Sequence, residues 1–157
     1  MPTERLRKFL DENSVQYETI LHTTAYTAQG VAASVHVRGR ELAKSTVLKV
    51  DGRFGLAVLP APLRVDLEAL RRLTGASSVS LASELEFQGL FPGCEVGAMP
   101  PFGNLYGLPV WADEALRKDP VIVFNAGTHR EAIRMSFADF ERLVKPTIGV
   151  FASRRAA

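Results

Sequence analysis

The feature that most limits this fold is small: Asp51-Gly52 lies between two apolar runs, residues 42–50 and 54–59. Asp-Gly supplies the two positive-φ positions of a two-residue hairpin turn, so the flanking runs pair as antiparallel neighbours. A tight hairpin stands where a doubly wound sheet would need a helical crossover between parallel strands. That architecture is therefore excluded for this part of the chain, and the rest has to pack around the hairpin.

Helical and strand patterns alternate along the remainder, with no repeat, low-complexity linker or break in composition. Residues 1–157 read as one domain. A first helix is expected at 3–13, capped by Thr3, with Leu6, Phe9 and Leu10 on one face, and a strand at 17–21. Thr27 can cap a second helix with Ala28, Val31, Ala32 and Val35 inward. Residues 66–73 form a helix stopped by Gly75, and 78–81 a strand. Ser83 with Glu86 has capping-box spacing for a short helix ending before Pro92-Gly93. Strands follow at 108–112 and 121–125, with 131–135 pairing to the latter. Ser136 and Asp139 open a last helix with Phe137, Phe140, Leu143 and Val144 facing the core and Pro146 at its end. The expected fold class is α+β: one mixed or largely antiparallel sheet with surrounding helices.

Composition narrows the function classes. A hydrophobic share of 46% and a charged share of 23% suit a globular domain with a real core. No apolar run reaches bilayer-spanning length, and the start, Met1-Pro2-Thr3-Glu4-Arg5, lacks the pattern of a signal peptide. The lone cysteine, Cys94, permits no internal disulfide. A cytoplasmic protein with no membrane partner is expected. The net charge of +2 is mild. Basic groups at Arg5, Arg7 and Lys8, at Arg38 and Arg40, at Arg71 and Arg72, at Arg130 and Arg134, and at Arg154 and Arg155 would track phosphates if they shared a face. The plainer reading is a solvated surface of mixed charge, with a mobile tail carrying Arg154 and Arg155.

Three segments carry candidate chemistry. Lys44 opens an apolar strand in which Lys44, Thr46, Leu48 and Val50 share one face, with Ser45, Val47 and Lys49 on the other. A lysine on the apolar side either occupies a pocket or lays its stem along the strand end. Gly97-Ala98-Met99-Pro100-Pro101-Phe102-Gly103 is a stiff loop whose glycines permit positive φ and whose amides can hold an anion or oxyanion; its plain reading is a structural loop with Phe102 in the core. Gly127-Thr128-His129 is a small-residue turn after a strand apolar on both faces. His129 can orient a water or a ribose, or be a hydrogen-bonded turn histidine.

Several rival chemistries fail. His22, His36 and His129 lack metal-ligand spacing, and Cys94 supplies no second thiol, so no metal and no cofactor are expected. There is no G-x-S-x-G, P-loop or G-x-G-x-x-G. Cys94 after Pro92-Gly93 reads as an incidental thiol before a nucleophile. Asp113 beside Glu114 reads as a cap or turn residue, since neighbouring side chains diverge.

The chain resembles the YbaK/EbsC family of freestanding aminoacyl-tRNA deacylases, relatives of the editing domain inserted in bacterial prolyl-tRNA synthetases. The resemblance runs from about Arg5 to Val144 and rests on the order and spacing of several segments. These are His22-Thr23-Thr24 ahead of the Thr27 helix, Lys44-Ser45-Thr46-Val47-Leu48, the 97–103 loop, Pro109-Val110-Trp111-Ala112-Asp113, and Phe124-Asn125-Ala126-Gly127-Thr128-His129. The family's usual K-T-x-V-L has Ser45 here, and its A-G-R-R-G is Ala126-Gly127-Thr128-His129-Arg130. The resemblance implies an enzyme that accepts the aminoacylated 3′ end of a tRNA and hydrolyses the ester, with a synthetase as a further candidate partner. Lys44 corresponds to the family's functional lysine and 97–103 to its amino-acid pocket. Lys44 and His129 are then the candidate catalytic residues, with Gly97, Ala98, Met99, Pro100, Pro101, Phe102, Gly103, Gly127 and Thr128 binding substrate. Amides near 97–103 and Gly127 would fix the ester and the oxyanion. The small loop residues suit a compact amino acid: alanine, cysteine, serine or threonine. The alternative is a module that binds a tRNA end or nucleotide without turnover, or a regulatory partner of a synthetase.

Overall fold

The computed structural model describes residues 2–21 and 42–154. The helix expected at Thr27, with His22, His36, Arg38 and Arg40, lies outside them, as does Arg155.

The expected hairpin forms. Strand β2 (Ala43–Val50) and β3 (Arg53–Pro60) pair antiparallel in full register, from Ala43 opposite Pro60 to Val50 opposite Arg53. Asp51 and Gly52 both have positive φ, at 49° and 81°, as the primed turn requires. The Asp51 carboxylate also accepts the Ser77 and Ser78 amides, which fixes the turn to the segment after the next helix.

Helix α1 (Pro2–Glu12) starts one residue earlier than expected. Proline suits the first helical position, where its missing N–H goes unused, and Thr3 therefore sits within the first turn instead of capping it. Strand β1 (Tyr17–Leu21) follows. After β3 come β4 (Arg64–Val65) and helix α2 (Leu67–Thr74), capped by Asp66 and closed by Gly75 at φ 72°. Strand β5 (Val79–Leu81) leads to helix α3 (Glu84–Phe87), where both halves of the Ser83–Glu86 capping box are made. Bonding to Lys49 and to Ser83 holds the Glu86 carboxyl down at about 2. Strand β6 (Val110–Asp113), a 3₁₀ turn (Glu114–Lys118), β7 (Val121–Asn125) and β8 (Glu131–Ser136) precede helix α4 (Phe137–Val144), with Ser136 as its cap. Lys145 ends α4 in the left-handed region directly before Pro146. Strands β9 (Thr147–Gly149) and β10 (Ala152–Ser153) complete the described chain.

The α+β class holds, but the strands divide among more than the one sheet expected. Five strands run β5-β2-β3-β6-β9, with β3–β6 and β6–β9 parallel; three run β1-β8-β7, all antiparallel; β10 pairs with β4. The two larger sheets touch through one parallel bridge, Leu42 with Val123. The division follows from the second edge of β2. It meets β7 at Leu42 and β5 from Leu48 onward, and no described strand pairs with it between.

The main core fills the angle between the sheets and helices α1 and α4. Phe102 is its hub, fully buried against Phe9, Phe124 and Phe140 at ring separations of 6.1, 5.5 and 5.6 Å. The opposite face of the five-stranded sheet buries Leu48, Ala57 and Leu59 against Leu70 and Phe151.

Candidate active site

The gap in the second edge of β2 is where the site lies. Alternation puts Lys44 and Thr46 on the face of Leu48, and there they line a cavity of about 320 Å³ with Arg64, Val65 and Leu81. Lys44 is half-buried. Burial pulls its ammonium below the ordinary lysine range, and the neighbouring Arg64 charge adds to the shift. Neither cation is ion-paired to an acid among the described residues. Lys49, on the other face, bonds the Glu86 carboxylate at the surface. A half-buried cation beside an exposed one, neither with a counter-ion among the described residues, favours an anionic or strongly polar guest.

Alternation also turns the backbone of Ser45 toward the gap: the Val47 carbonyl, two residues on, accepts the Ala82 amide from that side. Among the described residues the Ser45 hydroxyl is buried without a hydrogen-bond partner, and so is the side-chain carbonyl of Asn125, the last residue of β7.

Residues 95–99 and 126–129 form one unit beyond the end of β7. Gly127 N–H donates to the Ala98 carbonyl at 2.8 Å, and Glu95 N–H to the Gly127 carbonyl at 2.8 Å. The His129 amide donates to Glu95 Oε1 at 3.2 Å. A carbonyl can only accept, so the 2.7 Å contact of His129 Nε2 with the Val96 oxygen makes Nε2 the protonated nitrogen. His129 is 4% exposed. Gly97 has φ 85°, and a Cβ there would lie 3.4 Å from the imidazole. His129 thus clamps the two loops together.

The expected binding residues therefore separate. Gly97 is exposed, Ala98 and Met99 line the loop junction, and Thr128 Oγ1 accepts the Arg130 amide at 3.3 Å. The amides of Ala98 and Gly127 are committed to protein carbonyls, so the oxyanion cradle expected there is not open at either. Pro100, Pro101, Phe102 and Gly103 are buried. Gly103 has no positive φ; its missing side chain admits Val110 and the Leu108 carbonyl, which a Cβ would meet at 2.6 and 2.9 Å. The close approach expected for a ligand is made by the protein itself.

Asp113 caps the 3₁₀ turn through Ala115 N–H at 3.0 Å. Its other oxygen accepts Phe151 and Ala152 N–H, both at 2.9 Å. Burial pushes the Cys94 thiol up, away from the reactive thiolate, and its partner is the Tyr106 hydroxyl at 3.5 Å. Among the described residues no group of histidine, cysteine or carboxylate side chains could hold a metal ion, and no helix is long and apolar enough to cross a membrane. Sequence reasoning missed Arg64, the Ser45 hydroxyl and Asn125. Arg64 carries no local signal; Asn125 was visible as the polar end of an apolar strand.

A family model described as "Aminoacyl-tRNA editing domain" matches residues 22–143. The Escherichia coli (strain K12) "Multifunctional Ser/Thr-tRNA deacylase ProXp-y" is 32% identical over 98% of this chain and 93% of its own. A proline–tRNA ligase of Bacillus cytotoxicus is 29% identical over 68% of this chain and 19% of its own length. Among solved structures, hypothetical protein APE2540 superposes with a TM-score of 0.85 at 17% identity, covering 95% of this chain and 99% of that one. A candidate trans-editing enzyme for prolyl tRNA synthetase gives 0.81 at 24% identity, with 96% of each covered. These two show the shared fold. The family match over residues 22–143 and the E. coli relative, alike over nearly the whole chain, show that this chain belongs to the aminoacyl-tRNA editing domain family and is an aminoacyl-tRNA deacylase.

Proposed function

We propose that this protein acts in trans on a mischarged tRNA, hydrolysing the ester between a small amino acid and the 3′-terminal ribose. The observation that carries the reading is Lys44: a half-buried cation beside Arg64, with no acid paired to it among the described residues, at an unpaired sheet edge. An aminoacyl ester is already activated, so a covalent nucleophile is unnecessary. The site has to hold the carbonyl, place a water and stabilise the oxyanion. Lys44 and Arg64 hold the polar 3′ end, and the Ser45 peptide at the gap meets the ester. Water adds to the carbonyl carbon, the carbon–oxygen ester bond breaks, and the ribose oxygen leaves with a proton. A substrate hydroxyl relays that proton, which accounts for the lack of an evident protein base among the described residues. His129 acts on this reaction as a positioning residue, by holding the Gly97 loop through Val96.

Of the four candidate amino acids, serine and threonine are favoured. The E. coli relative is named for those two, and the Lys44 cavity has the polar side chains of Thr46 and Arg64 in its lining. A pocket built to bond a hydroxyl rejects an analogue that lacks it far better than size alone rejects one methylene. The test is deacylation of alanyl-, cysteinyl-, seryl- and threonyl-tRNA by wild type and Lys44→Ala. Lys44-dependent release from the seryl or threonyl substrates is expected. No release above buffer from any substrate by folded protein would leave a binding module without turnover.

A further inference from the structure

A second and larger cavity opens beside the first. Its volume is about 690 Å³, and its described lining includes Pro60, Pro62 and Leu63 on one side and Lys118, Asp119 and Arg154 on the other. The two cavities share structure. Pro60 follows Leu59, the cross-strand partner of Lys44, and the β4–β10 ribbon gives Arg64 and Val65 to the first cavity and Ala152 and Arg154 to the second. Asp113 fixes both walls, since Ala115 and Ala152, whose amides it accepts, line the cavity too. Lys118 and Arg154 are exposed and ion-paired to no acid among the described residues; Asp119 is the one acid in the described lining.

From this layout we infer that the second cavity binds phosphates of the tRNA strand leading to the aminoacylated ribose, with Lys118 and Arg154 as the contacts. The inference rests on the deacylase reading and extends it. A cavity of about 320 Å³ holds an aminoacyl group and little of the nucleic acid behind it, so the strand must continue over the neighbouring surface. Here the route is set by chemistry. Rigid proline and leucine faces suit sugar and base, two cations suit successive phosphates, and a fixed wall keeps their spacing. The β4–β10 ribbon joins the two cavities, with Lys44 and Arg64 in the lining of the first and Arg154 and Lys118 in that of the second.

The test uses the double variant Lys118→Glu/Arg154→Glu in the full chain, with two substrates: seryl-tRNA and 3′-seryl-adenosine, which has no phosphate. For seryl-tRNA, KM is expected to rise at least about tenfold, and the dependence of log affinity on log salt to lose roughly one to two units of slope. The ratio of kcat/KM between the two substrates should fall by the same factor. An unchanged KM on seryl-tRNA would overturn the inference. So would an equal loss on both substrates, which would make the residues structural. If wild type releases none of the four amino acids from tRNA, the deacylase reading fails, and anisotropy with uncharged tRNA still decides this one: weaker binding by the variant upholds it, equal binding ends it. The alanine pair, Lys118→Ala/Arg154→Ala, gives the same reading if charge reversal prevents folding.

Discussion

Asp113 and Lys44 lie on the same five-stranded sheet, and both carry a charge drawn in from solvent. They differ in what surrounds them. The carboxylate is 3% exposed and takes three backbone amides, from Ala115, Phe151 and Ala152. The ammonium faces a cavity and a second cation, with no ion-paired acid among the described residues. A buried charge whose bonding is complete belongs to the architecture, and one left incomplete is kept for a partner that comes and goes.

That contrast is easiest to break with single substitutions. Lys44→Ala is expected to lower deacylation by roughly 10²–10³-fold while the melting temperature holds or rises, because a desolvated charge is removed. A variant that still works at the wild-type rate would dissolve the distinction. Asp113→Ala should do the reverse. It leaves three amides to find new partners at a cost of about 2–4 kcal/mol, read by urea unfolding, and the protein that remains folded should keep most of its turnover.

His129 sharpens the comparison, because it is a candidate for the chemistry yet is buried and bonded like Asp113. His129→Ala should cost about 1–2 kcal/mol and slow the reaction through the loosened loop. His129→Gln, which can still donate to the Val96 carbonyl, should restore most of both. Failure of glutamine to rescue rate while it rescues stability would move His129 into the chemistry.

The smallest effect is a matter of pH. The Lys44 ammonium titrates below its unfolded value of 10.5. Between those two values the unfolded chain binds more protons than the folded one, so this group's contribution to stability rises with pH across the window. Affinity for tRNA falls across the same window, as the folded protein loses the charge. Binding followed from neutral pH upward should show that fall begin below 10.5, and Lys44→Arg should move it to higher pH.

Much of this could be read from the residues in order. The Asp51-Gly52 hairpin, the Ser83–Glu86 capping box and the Ser136 cap are local rules satisfied within a few residues, and the structure keeps all three. Lys44 was legible because alternation assigns its face. What stayed hidden is made by contacts between distant segments. Arg64 meets Lys44 only because β4 folds back toward β2, and Gly103 is small because Val110 and Leu108 press on it, which its sequence neighbours do not announce. The division between the two larger sheets was hidden for the same reason, since it depends on what β2 meets on its second edge.

The single bridge between Leu42 and Val123 also bears on the order of assembly. Hairpins β2–β3 and β7–β8 close over short stretches of chain and should form early, whereas this bridge joins segments with most of the domain between them and must wait for chain closure. The pocket then takes shape only after both hairpins have closed. In pulsed hydrogen exchange during refolding, the amides at the start of β2 that face β7 should gain protection after those within either hairpin; simultaneous protection would show that the sheets join before the hairpins are complete.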